Sequence, residues 1–258
     1  MSPRRRRTLA VTGSASGIGA AVAERFTRSG TTVIGVDLAG SDVVADLASA
    51  EGRRTAVFEV ARRCEGRLDG LVVAAGIGPQ VRPAGSIVRV NYFGALAVLD
   101  GLLGSLGSGE APAAVVLASN SAGITPPDAA LLGLLSEGDE EGAAARADEL
   151  DGATVYGMSK LGLSRAVRRR SRPWGDAGVR LNAVAPGPVD TPLLRGTLAD
   201  PRLGPAVELL PIPLRRRAAP EEIASAVAFL LDPANAYVHG AVLFVDGGTD
   251  AELRPDAL

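Results

Sequence analysis

The chain has 258 residues, of which 47% are hydrophobic and 22% charged, with a formal net charge of -2 at pH 7. That length allows one large domain with its own core, and the near-neutral balance leaves no global field to draw nucleic acid. A single cysteine and a single histidine exclude a disulfide framework and a multi-ligand Cys/His metal centre, and the basic residues are all arginine except Lys160.

In chain order, Arg4–Arg7 reads as a solvated basic tail with no signal-peptide core behind it. No uninterrupted apolar run reaches ~18 residues, so a cytoplasmic chain without a membrane span is expected. Thr8–Thr12 predicts a first strand. Gly17–Arg28 predicts a helix with Ile18, Ala21, Val22 and Phe26 on one face. Thr32–Asp37 and Val43–Leu47 predict the second and third strands. A helix over Ala48–Arg63 leads to a fourth strand, Leu68–Ala75. Asn91–Leu106 reads as a helix, with Asn91 either its N-cap or a position that holds a water. Ala113–Ala118 predicts a fifth strand, Val155–Arg170 a helix, Val179–Ala185 a sixth strand, Pro220–Leu231 a helix and Ala241–Val245 the last strand.

The strands lack polar alternation, as expected when helices cover both sheet faces. Strand–helix alternation of this kind predicts an α/β fold, a doubly wound parallel sheet of Rossmann type in one domain over 1–258. Residues 126–152 break the rhythm with a run rich in Ala, Leu, Asp and Glu. They read as a helical insertion that lines a substrate pocket, forms a subunit interface or stands in solvent.

Four groups of residues carry chemistry. Thr12–Gly19, TGSASGIG, places Gly13, Gly17 and Gly19 between the first strand and first helix. Glycine allows close backbone approach, and a helix N-terminus offers free N–H groups to a pyrophosphate. Asp37 ends the second strand, where a carboxylate accepts hydrogen bonds from an adenosine ribose and repels a 2′-phosphate. No Lys or Arg stands beside it in the glycine loop, which argues for NAD over NADP. Tyr156 and Lys160 stand four residues apart on one helix face. An adjacent ammonium stabilises a phenolate, making Tyr156 a general acid/base, and a guanidinium is not an equivalent substitute. Ser119 follows the fifth strand, where such sheets bind ligands, and Ser121 is its rival.

These motifs resemble the short-chain dehydrogenase/reductase family across nearly the whole chain. The matching segments are TGSASGIG, Asp37, Asp46-Leu47, AAG at Ala74–Gly76, VNYFG at Val90–Gly94, Ser119, YGMSK at Tyr156–Lys160, LNAVAPGPVDTPLL at Leu181–Leu194 and FVDGG ending at Gly248. The resemblance implies that Tyr156 is the acid/base, that Lys160 binds the nicotinamide ribose and lowers the Tyr156 pKa, that Ser119 orients the substrate oxygen and that Asn91 holds a relay water. It implies a cofactor site made of Gly13, Ser16, Gly17, Ile18, Gly19, Asp37, Leu38, Asp46, Leu47, Ala75, Gly76, Tyr156, Lys160, Pro186, Gly187, Val189 and Thr191, with Thr191 on the carboxamide. No metal is implied.

Two departures stand out. The usual asparagine-rich segment is Val73-Ala-Ala-Gly76, and the connection between the second and third strands is too short for a full helix. That short connection, the insertion, AGIGPQ (Ala75–Gln80), Trp174–Asn182 and Tyr237–Ala241 resemble the bacterial 3α-hydroxysteroid dehydrogenase/carbonyl reductase subgroup; coniferyl-alcohol dehydrogenases share part of this pattern. The implied activity is NAD-dependent interconversion of a bulky apolar secondary alcohol and its ketone, foremost a 3-hydroxysteroid. The implied assembly is a homodimer or homotetramer. Residues 193–217 would cover the substrate, with Leu132, Leu134, Leu135, Leu193, Leu194 and Leu209 as candidate pocket walls. Alternative readings are a dehydrogenase of aromatic or terpenoid alcohols, an epimerase or dehydratase with a retained cofactor, and a non-catalytic NAD-sensing regulator.

Overall fold

Strand β1 (Thr8–Thr12) directs Leu9 and Val11 to one side of the sheet and Ala10 to the other, all three buried. The rest follows that pattern in a computed structural model that describes residues 6–256. The chain continues through α1 (Gly17–Arg28), β2 (Thr32–Asp37), β3 (Val43–Val44), α2 (Ala50–Arg63), β4 (Gly70–Val73), α3 (Gly85–Val88), a π-helical turn (Arg89–Gly94), α4 (Ala95–Gly107) and β5 (Ala113–Leu117). It then passes through α5 (Ser121–Ile124), α6 (Ala129–Glu137), α7 (Glu140–Asp148), α8 (Gly152–Arg169), α9 (Ser171–Asp176) and β6 (Arg180–Pro186). The last elements are α10 (Pro192–Ala199), α11 (Gly204–Glu208), α12 (Pro220–Leu231), β7 (Val242–Val245) and α13 (Thr249–Leu253).

The strands form one parallel sheet in the order β3-β2-β1-β4-β5-β6-β7. The order reverses between β1 and β4, and in such sheets ligands bind in the crevice beyond the strand C-termini at that point. One core joins Ala10, Leu71, Val73, Ala114 and Val116 to residues of α2, α4 and α8. The other joins Leu9, Val11, Val72, Val115 and Leu117 to α1 and α12. This is the single-domain, doubly wound architecture expected from the strand–helix alternation.

Several local expectations change. Beyond Val44 the third strand gives way to a loop, and Ser49, not Ala48, opens α2 by accepting a hydrogen bond from Gly52 N. Asn91 is no N-cap: it lies inside a helical run that begins at Gly85. That run, Gly85–Gly107, is long and apolar enough by composition to cross a membrane, which the absence of a continuous apolar stretch had not suggested. Its apolar side chains Val88, Leu99, Leu102 and Leu106 are instead sealed inside the fold. Arg4 and Arg5 of the basic tail lie outside the described residues. Arg7 is tied down, donating to Asp69 O at 3.3 Å.

The insertion over 126–152 forms α6 and α7, which pack on α3, the π-helical turn and α8. Asp128 and Asp139 cap their N-termini, accepting from Leu131 N and Gly142 N. Leu131, Leu135, Ala143 and Ala147 are buried at the contact.

Candidate active site

The loop after β1 is shaped by backbone proximity. Gly13 has φ +70°, its N–H donates to Val36 O at 2.8 Å, and a Cβ there would stand 2.8 Å from Ala75 Cα. Gly17 has φ +53°, and its missing Cβ leaves room for the Thr191 methyl. Only glycine meets both demands without strain. Ser16 opens α1 but its side chain makes no capping hydrogen bond, so the first-turn N–H groups stay available to a ligand anion. Asp37 is fixed from both oxygens: Oδ2 accepts from Ala15 N at 2.9 Å and Oδ1 from Leu38 N at 2.7 Å. Each oxygen keeps acceptor capacity for a sugar hydroxyl.

A cavity of about 190 Å³ runs along these residues, lined by Gly13, Ser16, Gly17, Ile18, Gly19, Asp37, Leu38, Asp46, Leu47, Ala75 and Gly76. A second, of about 250 Å³, is lined by Ser119, Tyr156, Lys160, Pro186, Gly187 and Val189. The two share Ile18, Ala74, Gly76, Thr191 and Leu193, and so form one continuous cleft. Free N–H groups near one end, the Asp37 carboxylate and a mostly apolar lining fit a dinucleotide extended along it. Every cofactor residue expected from the sequence therefore borders the same space.

At the far end, Asp151 caps α8 by accepting from Thr154 N at 2.9 Å, and the helix presents Tyr156 and Lys160. Gly157 lets α5 come close: a Cβ there would lie 2.5 Å from the Thr125 Cβ. Lys160 is buried and its Nζ donates to Leu117 O at 2.9 Å. Burial pulls its pKa down to about 8. Burial also pushes the Tyr156 phenol above its ordinary value, and a hydrogen bond with the Ser119 side chain pulls the other way. The lowering expected from Lys160 is not what dominates here. Nζ lies 5.7 Å from the ring centroid, and desolvation is the larger influence on the phenol.

Ser119 and Ser121 separate cleanly. The Ser119 hydroxyl faces Tyr156 and accepts from Ser121 N at 3.2 Å, whereas Ser121 Oγ is sealed from solvent without a hydrogen-bond partner. Asn91 is buried, with Oδ1 accepting from Ile77 N at 2.8 Å and Nδ2 donating to Ile77 O at 3.0 Å. Its side chain therefore fixes the segment after β4. Thr191 is the N-cap of α10, accepting from Leu194 N and donating to Val189 O, both at 3.2 Å.

The expected apolar walls divide. Leu193 and Leu194 line the cavity together with Val207 and Leu210. Leu135 is core, and Leu132 and Leu134 pack against that core. Leu209 is 82% exposed, because the turn after α11 directs Leu210 inward in its place. Gln80 was not among the expected site residues. Its Oε1 accepts from the buried Thr197 hydroxyl at 3.0 Å, joining the loop after β4 to α10 beside Pro79 and Thr197 of the cavity wall. A Cβ on Gly196 would stand 2.8 Å from Gln80 Nε2, and one on Gly78 would strike Gln80 Oε1. The two glycines make the slot, and they are the signal that could have revealed it.

Residues 142–250 match the family described as enoyl-(acyl carrier protein) reductase. The chain is 44% identical over 251 residues to the 3-alpha-hydroxysteroid dehydrogenase/carbonyl reductase of Comamonas testosteroni, covering 96% of this chain and 98% of the relative. It is 33% identical to a cis-4-hydroxycyclohexanecarboxylate dehydrogenase of Sinomonas cyclohexanicum, over 95% and 97% of the two chains. Among solved structures it is similar to a 3-alpha-hydroxysteroid dehydrogenase of a Pseudomonas species complexed with NADH. The TM-score is 0.93 at 45% identity, covering 97% of this chain and 100% of the other.

Proposed function

The chain belongs to the short-chain dehydrogenase/reductase family of NAD(H)-dependent oxidoreductases, and from that premise we propose that it interconverts a bulky apolar secondary alcohol and its ketone, with a 3-hydroxysteroid as the leading substrate. The observation that carries this reading is the continuity of the cleft. The slot beside Asp37 opens directly into a cavity where Ser119 and Tyr156 face apolar walls from Leu193, Leu194, Val207 and Leu210. The names of the two hydroxysteroid dehydrogenases support the same substrate class.

A bound nicotinamide supplies the hydride for ketone reduction and accepts it in the reverse direction. The residues of this chain do the rest. Tyr156 donates its phenolic proton to the substrate oxygen in reduction and recovers one from the alcohol in oxidation. Ser119, which lines the same cavity as that phenol, holds the same substrate oxygen in line. Lys160, fixed by Leu117 O, keeps a cation beside the phenol and would hold the nicotinamide ribose. Asn91 fixes Ile77 and with it the Ala75–Gly76 wall; a Cβ on Gly76 would meet Asn91 Oδ1 at 3.2 Å and Lys160 Nζ at 3.6 Å. Asp37 selects NAD by accepting from ribose hydroxyls and repelling a 2′-phosphate.

A substrate screen tests the reading. Purified protein with NAD is offered 3-hydroxysteroids, aromatic alcohols and terpenoid alcohols while the absorbance of the reduced cofactor is followed. Steroid turnover that collapses in Tyr156→Phe, with NADH binding kept, is the expected result. Turnover confined to the aromatic or terpenoid arms would replace the substrate assignment. Binding of NADH without turnover of any alcohol would favour a regulator over an enzyme.

A further inference from the structure

The role of the insertion is written in one buried arginine. Arg53 of α2 is 8% exposed, and its guanidinium has five hydrogen bonds. Three go to backbone carbonyls: Leu47 O at 2.7 Å, Ala48 O at 3.1 Å and Arg89 O at 2.9 Å. The other two form a bidentate pair with Glu140 of α7, at 2.6 and 2.7 Å. Such paired, charge-assisted bonds fix orientation as well as charge.

The carbonyls belong to the cofactor cleft. Leu47 lines the cavity near Asp37, and so does Val90, the neighbour of Arg89. Leu47 is also pressed against the π-helical turn, since a Cβ on Gly94 would stand 2.8 Å from its carbonyl oxygen. Asn91 in that turn then holds Ile77. A second tie keeps α7 in register with this helix, because Asp148 Oδ1 accepts from Gly85 N at 2.7 Å. Among the described residues, none of 126–152 lines either cavity.

We infer that Glu140 is a positioning residue for the adenine end of the cleft, through which the insertion sets cofactor affinity by orienting Arg53 behind Leu47 and Val90. This rests on the reading of the cleft as an NAD site. Without Glu140, Arg53 keeps its carbonyl partners but loses the acceptor that orients its guanidinium, so Leu47 and the π-helical turn lose their common anchor.

The test compares Glu140→Ala and Glu140→Gln with Glu141→Gln, whose parent side chain is 82% exposed and among the described residues pairs only with Arg89, which also reaches Glu140 Oε1 at 3.2 Å. NADH, ADP-ribose and reduced nicotinamide mononucleotide are titrated by calorimetry or fluorescence, and kcat is measured at saturating NAD. Both Glu140 variants should weaken NADH and ADP-ribose by about three- to tenfold. The mononucleotide, which lacks the adenosine half, should bind as before, kcat should hold, and Glu141→Gln should match the parent. Equal loss of all three ligands, or no loss of any, overturns the inference while leaving the proposed function standing. Failure of the parent protein to bind NADH or ADP-ribose would overturn both. If Glu140→Ala does not fold, Glu140→Gln, which keeps one acceptor oxygen, decides the matter alone.

Discussion

The Lys160 ammonium donates to the Leu117 carbonyl oxygen at 2.9 Å, while the Tyr156 ring centroid lies 5.7 Å from the same nitrogen. A cation held this way is poised for a ligand at the cost of fold stability. Its pKa falls from 10.5 to about 8 through burial. At ~1.36 kcal/mol per unit, the folded protein carries about 3 kcal/mol of penalty for keeping Lys160 charged at neutral pH. In the window from about pH 8 to 10.5 the unfolded chain binds the extra proton, so this group's contribution to stability rises with pH. Lys160→Met should therefore abolish turnover yet raise Tm at pH 7 by about 2–6 °C, after loss of the Leu117 hydrogen bond is offset. The difference from the parent should shrink as pH rises from 8 towards 10. Thermal melts across that range check it; a variant less stable than the parent at pH 7 would contradict the desolvation argument.

Asp37 has two jobs that one substitution can separate. Its oxygens hold Ala15 N and Leu38 N, and in the proposed NAD complex its charge would meet the ribose. Asp37→Asn keeps one acceptor for the loop and removes the charge. It should raise the KM for NAD and improve kcat/KM for NADP, shifting the ratio of the two by about tenfold or more. Steady-state kinetics with both cofactors measure the ratio. A parent that already prefers NADP would show that the carboxylate does not select.

Gln80 ties the loop after β4 to the cavity-lining Thr197 with a single hydrogen bond. Gln80→Ala removes that bond and leaves the Gly78–Gly196 slot empty, so α10 is released from the loop after β4. At ~1 kcal/mol for one net hydrogen bond, NADH dissociation should accelerate by about fivefold, with a similar rise in the KM for NAD. Stopped-flow displacement of NADH reads the rate directly. An unchanged rate would mean that α10 is held in place by its packing alone.

The legible parts of this site are local in sequence. Gly13, Gly17, Asp37 and the Tyr156–Lys160 pair announce themselves because a turn, a strand end and one helical turn each fix their own geometry. Ser119 and Ser121 were indistinguishable until folding sealed one hydroxyl and turned the other to Tyr156. The helix start expected at Asn91 lies at Gly85, because a π-helical turn inside an apolar helix leaves no break in the hydrophobic pattern. Gln80–Thr197 and Arg53–Glu140 lie 117 and 87 residues apart, and no periodicity links such partners. Leu132, Leu134 and Leu135 show the same limit: an apolar helical run packs equally well on a ligand or on a core, and here α6 turns them to α8 and its surroundings.

Val207 on α11 offers a direct test of which side chains set substrate size. It lines the same cavity as Leu193, Leu194, Leu210, Ser119 and Tyr156. Val207→Phe adds a ring to that wall without touching the proton-transfer groups. Rigid polycyclic alcohols cannot bend around the added ring, whereas a small cyclic alcohol can shift within the space that remains. The ratio of kcat/KM for a hydroxysteroid to that for cyclohexanol should therefore fall by about tenfold or more. Leu209→Ala, at a side chain that is 82% exposed, should leave that ratio where it was. If Leu209→Ala moves the ratio and Val207→Phe does not, the turn after α11 must present a different face to substrate than the one described.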